Sequence, residues 1–177
     1  GILVKLSSPG TVFYIQKRIG RNYREFGCIK FRTMYKNADD LLPNLLEKYP
    51  LMRKEFEKDF KLRQDPRITK LGRFLRRSSL DELPQFFNVL KGEMSVVGPR
   101  PIVSNEINKY SLFMEEVISV RPGLTGLWQV SGRNNLSYKK RVELDLVYAR
   151  NRNFILDLEI IILTLGVLLF PMDRGAF

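Results

Sequence analysis

The sequence contains no uncharged apolar run of the roughly 18 residues that a membrane-spanning helix needs. Its most apolar segment, Phe154–Phe170, carries Asp157 and Glu159 near its start, so we expect a core or interfacial helix there. Hydrophobic residues nevertheless make up 44% of the 177 positions. A chain of this length can bury about 70% of its unfolded surface, and we therefore expect one sizeable domain.

The residue counts exclude several kinds of site. Cys28 is the only cysteine, and the sequence has no histidine. These counts exclude an internal disulfide, a cysteine-rich zinc site, a histidine-ligated metal, and Ser-His-Asp or Cys-His catalysis. Acid–base or nucleophilic chemistry must then use Asp, Glu, Lys, Tyr or Ser side chains. A bound metal would need oxygen ligands.

Positive charge is concentrated before residue 81. Residues 1–80 contain 19 Lys and Arg against 8 Asp and Glu, whereas residues 81–177 contain 11 of each sign. The whole net charge of +11 therefore belongs to the first part of the chain. This asymmetry indicates a partner with dense negative charge, which is nucleic acid, anionic lipid or a phosphorylated substrate.

The residue pattern predicts a helix-rich α+β domain with a small β-hairpin. Strand-forming residues at Val12–Arg18 and Phe26–Arg32 flank a turn signal at Gly20 and Asn22. Helices are predicted at Asn37–Tyr49, Leu51–Leu62, Arg67–Arg77, Ser79–Leu90, Ile102–Val120, Tyr138–Arg150 and Phe154–Phe170. Loops are predicted at Lys91–Pro101 and Arg121–Ser137.

The helix predicted over Arg67–Arg77 is basic and amphipathic. Asp65 as N-cap and Pro66 as first helical residue give the signal for its start. One face is apolar and basic residues supply the rest. The apolar positions are Ile68, Leu71, Phe74 and Leu75. A helix of this kind suits a surface of anionic headgroups, so we expect amphipathic membrane-interface helices.

Asp81 and Glu82 are the first candidates for chemistry. Neighbouring side chains on a helix point about 100° apart, so the two carboxylates suit different tasks. One can attack or accept a proton while the other holds a hard cation such as Mg²⁺. The structural alternative is that Glu82 closes a capping box from Ser79 and Asp81 complements the helix dipole. Pro84 either bends the helix or is tolerated early in it.

Further candidates lie in the loops and in the helix that follows them. Arg100 stands between two prolines, which restrict the backbone and suit a fixed phosphate ligand; a plain turn is the alternative. The loop Arg121–Ser137 contains the only tryptophan, Trp128, for which we favour a core position. Asp145 either belongs to a site or pairs with a surface arginine.

The assembled motifs resemble the bacterial sugar transferases, which are monotopic polyprenyl-phosphate phosphoglycosyl transferases. The resemblance covers nearly the whole chain and follows one order. The matching stretches are Ser8-Pro9-Gly10, Lys30-Phe31-Arg32-Thr33-Met34, Asp65-Pro66-Arg67-Ile68-Thr69, Ser79–Pro101, Arg121–Asn134, and Glu143-Leu144-Asp145 with Tyr148.

The resemblance implies transfer of a sugar 1-phosphate from a UDP-sugar to undecaprenyl phosphate, with release of UMP. By that analogy Asp81 attacks the phosphorus next to the sugar, and Glu82 binds Mg²⁺. Substrate phosphates would be bound by basic residues, for which the candidates are Lys30, Arg32, Arg76 and Arg100. Supporting roles would fall to Pro84, Asp145 and Arg133.

The resemblance also implies a donor, a pathway and a location. The variant around Trp128 favours UDP-galactose or UDP-glucose and the start of exopolysaccharide, capsule or O-antigen synthesis. The enzyme would lie on the cytoplasmic face of the bacterial inner membrane. Two departures from the family pattern are Thr11 in place of a second proline, and Gly1–Leu6 where members carry a hydrophobic re-entrant helix. We therefore expect an excised fragment whose upstream membrane segment is missing.

Two functions from other classes compete with this one. A basic nucleic-acid-binding module agrees with a pI of about 9.9, but it leaves the carboxylate pair and the neutral second half without a task. A non-catalytic peripheral membrane scaffold would use the amphipathic helices and leave the loops idle. We favour the enzyme and expect no nucleic acid among its partners.

Overall fold

The computed structural model describes residues 1–59, 62 and 64–169, and within them the chain is rich in short helices. The α-helices are α1 (Ile2–Ser7), α2 (Ala38–Lys48), α3 (Pro50–Asp59), α4 (Lys70–Arg77), α5 (Phe86–Leu90), α6 (Ile107–Tyr110), α7 (Met114–Ile118), α8 (Leu127–Ser131), α9 (Tyr138–Asn151) and α10 (Phe154–Leu169). The strands are β1 (Phe13–Ile19), β2 (Glu25–Phe31), β3 (Ser95–Val97) and β4 (Gly123–Thr125). Short 3-10 turns lie at Arg21–Tyr23, Leu80–Gln85, Ser104–Glu106, Ser111–Phe113 and Arg133–Asn135. The helix-rich α+β class predicted from the sequence is confirmed.

The predicted hairpin is confirmed as the antiparallel pair of β1 and β2. Its turn is closed by the Gly20 N–H, which donates to the Arg24 carbonyl at 2.9 Å. Asn22 and Tyr23 take left-handed backbone angles, with φ of 54° and 60°. Asn tolerates this region better than most residues because its short side chain bonds locally, so the turn signal had a physical basis.

Backbone contacts divide the chain into two compact units. The first unit comprises Gly1–Tyr14 and Phe31–Asp81, and the second comprises Ile15–Lys30 and the chain from Glu82 onward. Each unit is described below by itself. The expectation of one catalytic domain over residues 1–177 stays a prediction.

The first unit buries a salt bridge where the sequence predicted a helix start. Asp65 accepts bonds from the Arg67 backbone N–H at 3.0 Å and from its Nη2 at 2.7 Å, and both residues are buried. The N-cap of α4 is instead Thr69, whose hydroxyl accepts the Gly72 N–H at 2.8 Å. The predicted cap was wrong because Asp65 is engaged with Arg67, and α4 therefore begins at Lys70.

The apolar face predicted for α4 is only partly buried. Leu75 is buried, whereas Phe74 is 59% exposed. The helix predicted over Leu51–Leu62 is observed as α3, which is described as far as Asp59. The predicted helix includes residues 60 and 61, and residue 63 follows its end. These three positions lie outside the described residues.

The second unit contains three clusters of buried apolar side chains. The largest unites the hairpin with α6, α7 and α9, and its buried members are Ile19, Ile102, Tyr110, Met114, Val117, Ile118, Val142 and Leu146. The others are Phe26, Cys28 and Met94, and Val97, Tyr148 and Ile160. These clusters fix β2, β3, α9 and α10, which carry or flank the candidate site.

The long helix predicted over Ile102–Val120 is broken into α6 and α7. Ile102 pairs with Ile19 in an antiparallel bridge, and its carbonyl accepts the Ile19 N–H at 2.8 Å. The segment therefore starts as an extended strand partner. The 3-10 turns that follow keep Tyr110 and Met114 in one cluster, so the apolar period survives although the helix does not.

Both predicted loops contain a strand that sequence patterns did not predict. β3 and β4 pair in parallel, with Ser95 opposite Gly123 and Val97 opposite Thr125. Three-residue strands are too short to show an alternating period. Gly98 follows β3 so closely beside the Arg121 carbonyl that an added Cβ would overlap it.

The last two helices agree with the prediction. α9 begins at Tyr138, where the Ser137 hydroxyl accepts the Lys140 N–H at 3.3 Å. α10 begins at Phe154, and residue 170, its predicted end, lies outside the described residues. Within the described part of the chain, no helix has the length and apolar character to cross a bilayer.

Candidate active site

The segment with Asp81 and Glu82 is a tight 3-10 turn, Leu80–Gln85, that leads into α5. The prediction of one regular helix over Ser79–Leu90 is therefore corrected. Ser79 takes a left-handed φ of 56°, and buried Pro84 lacks an N–H and crowds the carbonyl four residues earlier. An α-helical first turn is thereby disfavoured, and the structure begins with a tighter one.

Glu82 forms an ion pair with Lys30. The Lys30 Nζ donates to the Glu82 Oε1 at 2.6 Å, and both side chains are half-buried. Lys30 lies on β2, and both residues belong to the second unit. The structure thus brings together Lys30 and Glu82, two of the site residues predicted from the sequence, as an ion pair.

Three cations determine the ionisation of Glu82. Burial by itself raises the pKa of the carboxyl, but the positive charges of Lys30, Arg100 and Arg18 together lower it below its ordinary value. The carboxylate is therefore ionised at neutral pH. The cluster of one carboxylate and three cations keeps a net positive charge, which is suited to binding phosphate.

Arg18 is a site residue that sequence reasoning missed. Its buried guanidinium donates from Nη1 to the Pro101 carbonyl at 2.9 Å and from Nη2 to the Gln16 Oε1 at 2.7 Å. Arg18 thereby fixes the backbone beside Arg100. The available signal was that Gln16 and Arg18, two apart in a predicted strand, share one face.

Arg100 lies over the ring of the buried Trp128. Its guanidinium carbon is 5.9 Å from the ring centroid, and that of Arg141 is 5.1 Å away. Trp128 is 4% exposed, so its predicted core position is confirmed. Cation–π contacts of this kind orient a guanidinium without neutralising it, which leaves the Arg100 charge acting on Glu82.

Asp145 is buried, and Arg100 is among the groups that act on its carboxylate. The Tyr110 hydroxyl donates to its Oδ2 at 3.0 Å, whereas among the described residues Oδ1 has no partner with hydrogen-bond geometry. Burial raises its pKa to about 7, although Tyr110 and the backbone and charge of Arg100 act to lower it. The surface pairing that the sequence left open is wrong because this side chain is 1% exposed.

Asp81 belongs to the first unit, where its charge acts on Arg76. Burial lowers the pKa of the Arg76 guanidinium, and Asp81 and Asp65 act to raise it. The Arg76 Nε also donates to the Thr33 Oγ1 at 2.9 Å. Arg76 is therefore held in place on α4 by Thr33, and its charge interacts with that of Asp81, the candidate nucleophile.

Arg32 is buried and engaged with backbone carbonyls. Its Nη2 donates to the Ser8 carbonyl at 2.6 Å, and its Nη1 donates to the Pro9 carbonyl. Gly10, with φ of 128°, lies so close that an added Cβ would overlap the guanidinium. The structure therefore assigns Arg32 to holding the Ser-Pro-Gly turn. To bind a phosphate it would have to exchange these bonds, and its predicted role as a phosphate ligand stays a prediction.

Arg133 begins the 3-10 turn that follows α8. Its backbone is left-handed, with φ of 53°, directly after Gly132 with φ of 150°. These angles turn the chain sharply between α8 and α9. Its predicted supporting role stays a prediction.

The comparison with protein families agrees with the motifs. The family model described as bacterial sugar transferase matches residues 1–171. The chain belongs to the bacterial sugar transferase family.

Three relatives show which kinds of protein this chain is similar to. The chain is 51% identical over 160 residues to the undecaprenyl-phosphate galactose phosphotransferase of Salmonella typhimurium. The matched residues make up 90% of the chain and 34% of the relative. The chain is 45% identical over 175 residues to the exopolysaccharide production protein ExoY of Sinorhizobium fredii, covering 99% and 76%. It is 42% identical over 169 residues to the UDP-glucose:undecaprenyl-phosphate glucose-1-phosphate transferase of Xanthomonas campestris, covering 91% and 32%. The chain thus spans about a third of the length of the Salmonella and Xanthomonas proteins.

Proposed function

We propose that the protein transfers a sugar 1-phosphate from a UDP-sugar to undecaprenyl phosphate, releases UMP, and so starts exopolysaccharide, capsule or O-antigen synthesis. The observation that carries the proposal is the ionised Glu82 among Lys30, Arg100 and Arg18, in a chain 51% identical to a galactose phosphotransferase. Positive charges around an ionised carboxylate suit a diphosphate substrate with a bound cation. The names of two relatives favour galactose or glucose as the sugar.

Asp81 is the nucleophile in this proposal. A carboxylate oxygen of Asp81 forms a bond to the phosphorus next to the sugar while the bond from that phosphorus to the UMP oxygen breaks. A phosphate oxygen of the lipid then attacks the same phosphorus, and the Asp81–phosphorus bond breaks to restore the carboxylate. Lys30, Arg76 and Arg100 are proposed to hold the substrate phosphates.

Glu82 is proposed to hold Mg²⁺. A carboxylate together with substrate phosphates is a common Mg²⁺ environment, and Lys30 occupies Oε1, so Oε2 is the proposed ligand atom. Among the residues that the structure describes, no group of three or more acidic, Cys or His side chains could hold a metal alone. Substrate phosphates would therefore complete the shell. When bound, the cation would neutralise charge on the diphosphate.

By the same similarity we propose that the protein works on the cytoplasmic face of the bacterial inner membrane. The lipid acceptor is anchored there, and UDP-sugars are soluble on that side. The chain has residues suited to each: basic side chains for the phosphates and exposed apolar side chains for the lipid surface.

The test is UMP release from a panel of UDP-sugars with Mg²⁺ and undecaprenyl phosphate in detergent. We expect one donor to support turnover, and we expect Asp81→Asn to abolish it. Asp40→Asn, an exposed carboxylate on α2, is the matched control and should keep full activity. No UMP release from any donor of the panel would contradict the proposed reaction.

The covalent step has a separate readout. Without the lipid acceptor, we expect one UMP per protein and a mass increase of one sugar phosphate on the peptide that contains Asp81. Chelation of Mg²⁺ should suppress this burst. Turnover with no burst and no labelled peptide would contradict the nucleophile and leave the overall transfer standing.

A further inference from the structure

A basic pocket lies in the second unit, and none of its lining residues is assigned to catalysis. Its cavity volume is about 430 Å³, within the range of about 300–1,000 Å³ typical of ligand sites. It is formed by the hairpin turn that begins at Arg21, by β3, by the segment after α7, by the end of α9 with the residues that follow it, and by the first turn of α10. The lining residues are Arg21, Ser95, Val97, Val120, Arg121, Tyr148, Arg152, Asn153, Phe154 and Asp157.

The side chains that line this pocket carry a net positive charge. Arg21, Arg121 and Arg152 line it, and within the described residues none of the three forms an ion pair. The lining contains one carboxylate, Asp157, whose Oδ1 accepts the Tyr148 hydroxyl at 2.8 Å. Three like charges around one cavity repel each other, and a bound anion would relieve that repulsion.

An apolar surface adjoins the arginines. Phe154, which lines the pocket, is 81% exposed, and the next residue, Ile155, is 75% exposed. Further exposed apolar side chains continue along α10, at Leu158, Ile162, Leu163, Leu165, Leu168 and Leu169. Arginines beside an exposed apolar helix face are typical of a surface that lies on anionic lipid.

We propose that this pocket binds the phosphate headgroup of an anionic phospholipid, while Phe154 and the exposed residues of α10 contact its acyl chains. The three arginines supply the charge, and Val97 and Val120 form the apolar wall. This site shares no lining residue with the cation cluster at Glu82, and the proposal does not depend on the transfer reaction. It would orient the protein on the membrane and favour membranes rich in anionic lipid.

The first test measures binding of the chain to phosphatidylcholine vesicles with and without phosphatidylglycerol. We expect preferential binding to the anionic vesicles, and we expect Arg121→Gln/Arg152→Gln to weaken it by about thirtyfold. Lys54→Gln/Lys139→Gln removes the same charge from exposed helix positions and is the matched control. Equal losses in the two double variants would overturn the pocket, because general surface charge would then explain binding.

The apolar contact has its own matched pair. Phe154→Ser should weaken vesicle binding several-fold, whereas Leu51→Ser, at an equally exposed site on α3, should leave it unchanged. All these side chains are exposed, so the fold should be retained, which circular dichroism checks. Unchanged binding by Phe154→Ser would overturn the role of α10.

A soluble probe distinguishes a lipid from a free phosphate. We expect a short-chain phosphatidylglycerol below its micelle concentration to shift the Arg121 and Arg152 side-chain NMR signals saturably. Inorganic phosphate should shift them more weakly. An equal or stronger response to inorganic phosphate would overturn the lipid assignment and identify a free-phosphate site.

Discussion

Glu82 and Asp145 are both carboxylates of the second unit, and the charge of Arg100 acts on each, yet their pKa values move in opposite directions. Lys30 lies 2.6 Å from Glu82, and two further cations act on it, so its pKa is lowered. Asp145 has a neutral phenol at 3.0 Å and a more complete burial, and its pKa rises to about 7. At Glu82 the positive charges nearby together change the pKa more than burial does. At Asp145 burial has the larger effect on the pKa.

The two carboxylates therefore suit different tasks. Glu82 keeps its negative charge at neutral pH and can hold a cation among substrate phosphates. Asp145 holds a proton over much of the acidic range and accepts the Tyr110 hydroxyl. Their effects on stability also oppose each other: the contribution of Glu82 is lost on acidification, and that of Asp145 is lost as the pH rises.

Glu82→Gln should have the largest effect of these substitutions, because it replaces the carboxylate that is ionised at neutral pH with a neutral amide. We expect kcat/KM for UMP release to fall at least about a thousandfold, on the order of 4 kcal/mol, with the fold retained. Added Mg²⁺ should restore only part of the activity. Glu143→Gln, an ion-paired carboxylate on α9, is the control. Parental turnover and Mg²⁺ dependence would show that Glu82 does not bind the metal.

Asp145→Asn should remove a pH dependence of stability. The folded protein keeps a proton on Asp145 between pH 3.8 and about 7, where the unfolded chain has lost it, so stability falls as the pH rises. Urea unfolding should show a loss of roughly 3 kcal/mol between about pH 5 and pH 8 in the parent. The Asn variant should lose this component, and Asp40→Asn should keep it. A slope that survives in Asp145→Asn would assign the titration to another group.

Arg18→Gln tests the residue that fixes the backbone next to Arg100, whose charge acts on both carboxylates. It leaves the Pro101 carbonyl without its donor and removes one cation from Glu82, so we expect a loss of about 2 kcal/mol in the free energy of unfolding. Lys17→Gln, at an exposed position of the same strand, should change it by less than about 0.5 kcal/mol. Equal effects of the two substitutions would remove Arg18 from the site.

Tyr110→Phe should have the smallest effect and sharpen the contrast. Loss of the hydroxyl removes the bond to Asp145 Oδ2, which should cost about 1 kcal/mol and raise the Asp145 pKa further above its ordinary value. Carboxyl ¹³C NMR titration measures that pKa. Tyr23→Phe removes a hydroxyl that donates to Glu115 on the surface and should leave the titration unchanged. An unshifted midpoint in Tyr110→Phe would show that the Tyr110 hydroxyl does not lower the Asp145 pKa.

The sequence predicted elements with their own local signals. The hairpin, α2 and α9 begin and end close to their expected positions, and α10 begins at its expected position, because turn residues, caps and a long apolar period act locally. The segment from Ile102 to Val120 shows where this fails. Its apolar period is helical, but pairing of Ile102 with Ile19, far away in sequence, fixes its start as an extended strand partner.

The candidate site was predicted as a set of residue types and not as an arrangement. The acidic pair, the proline-flanked Arg100 and the absence of histidine limited the chemistry to carboxylates and oxygen-ligated cations. Which basic residue contacts which carboxylate did not follow, because Lys30 and Glu82 are 52 positions apart and Arg18 and Pro101 are 83 apart. Arg32, by contrast, has the right type but donates to backbone carbonyls.

By itself the sequence determined the class of the fold, the motifs of its family and the residue types available for chemistry, since composition and short-range pattern encode these. Only the tertiary structure decided which carboxylate is ionised among cations and which is buried beside a phenol. It also gathered Arg21, Arg121 and Arg152 around one cavity. The physical reason is that electrostatic environment depends on distance and burial in space, and both are set by long-range packing.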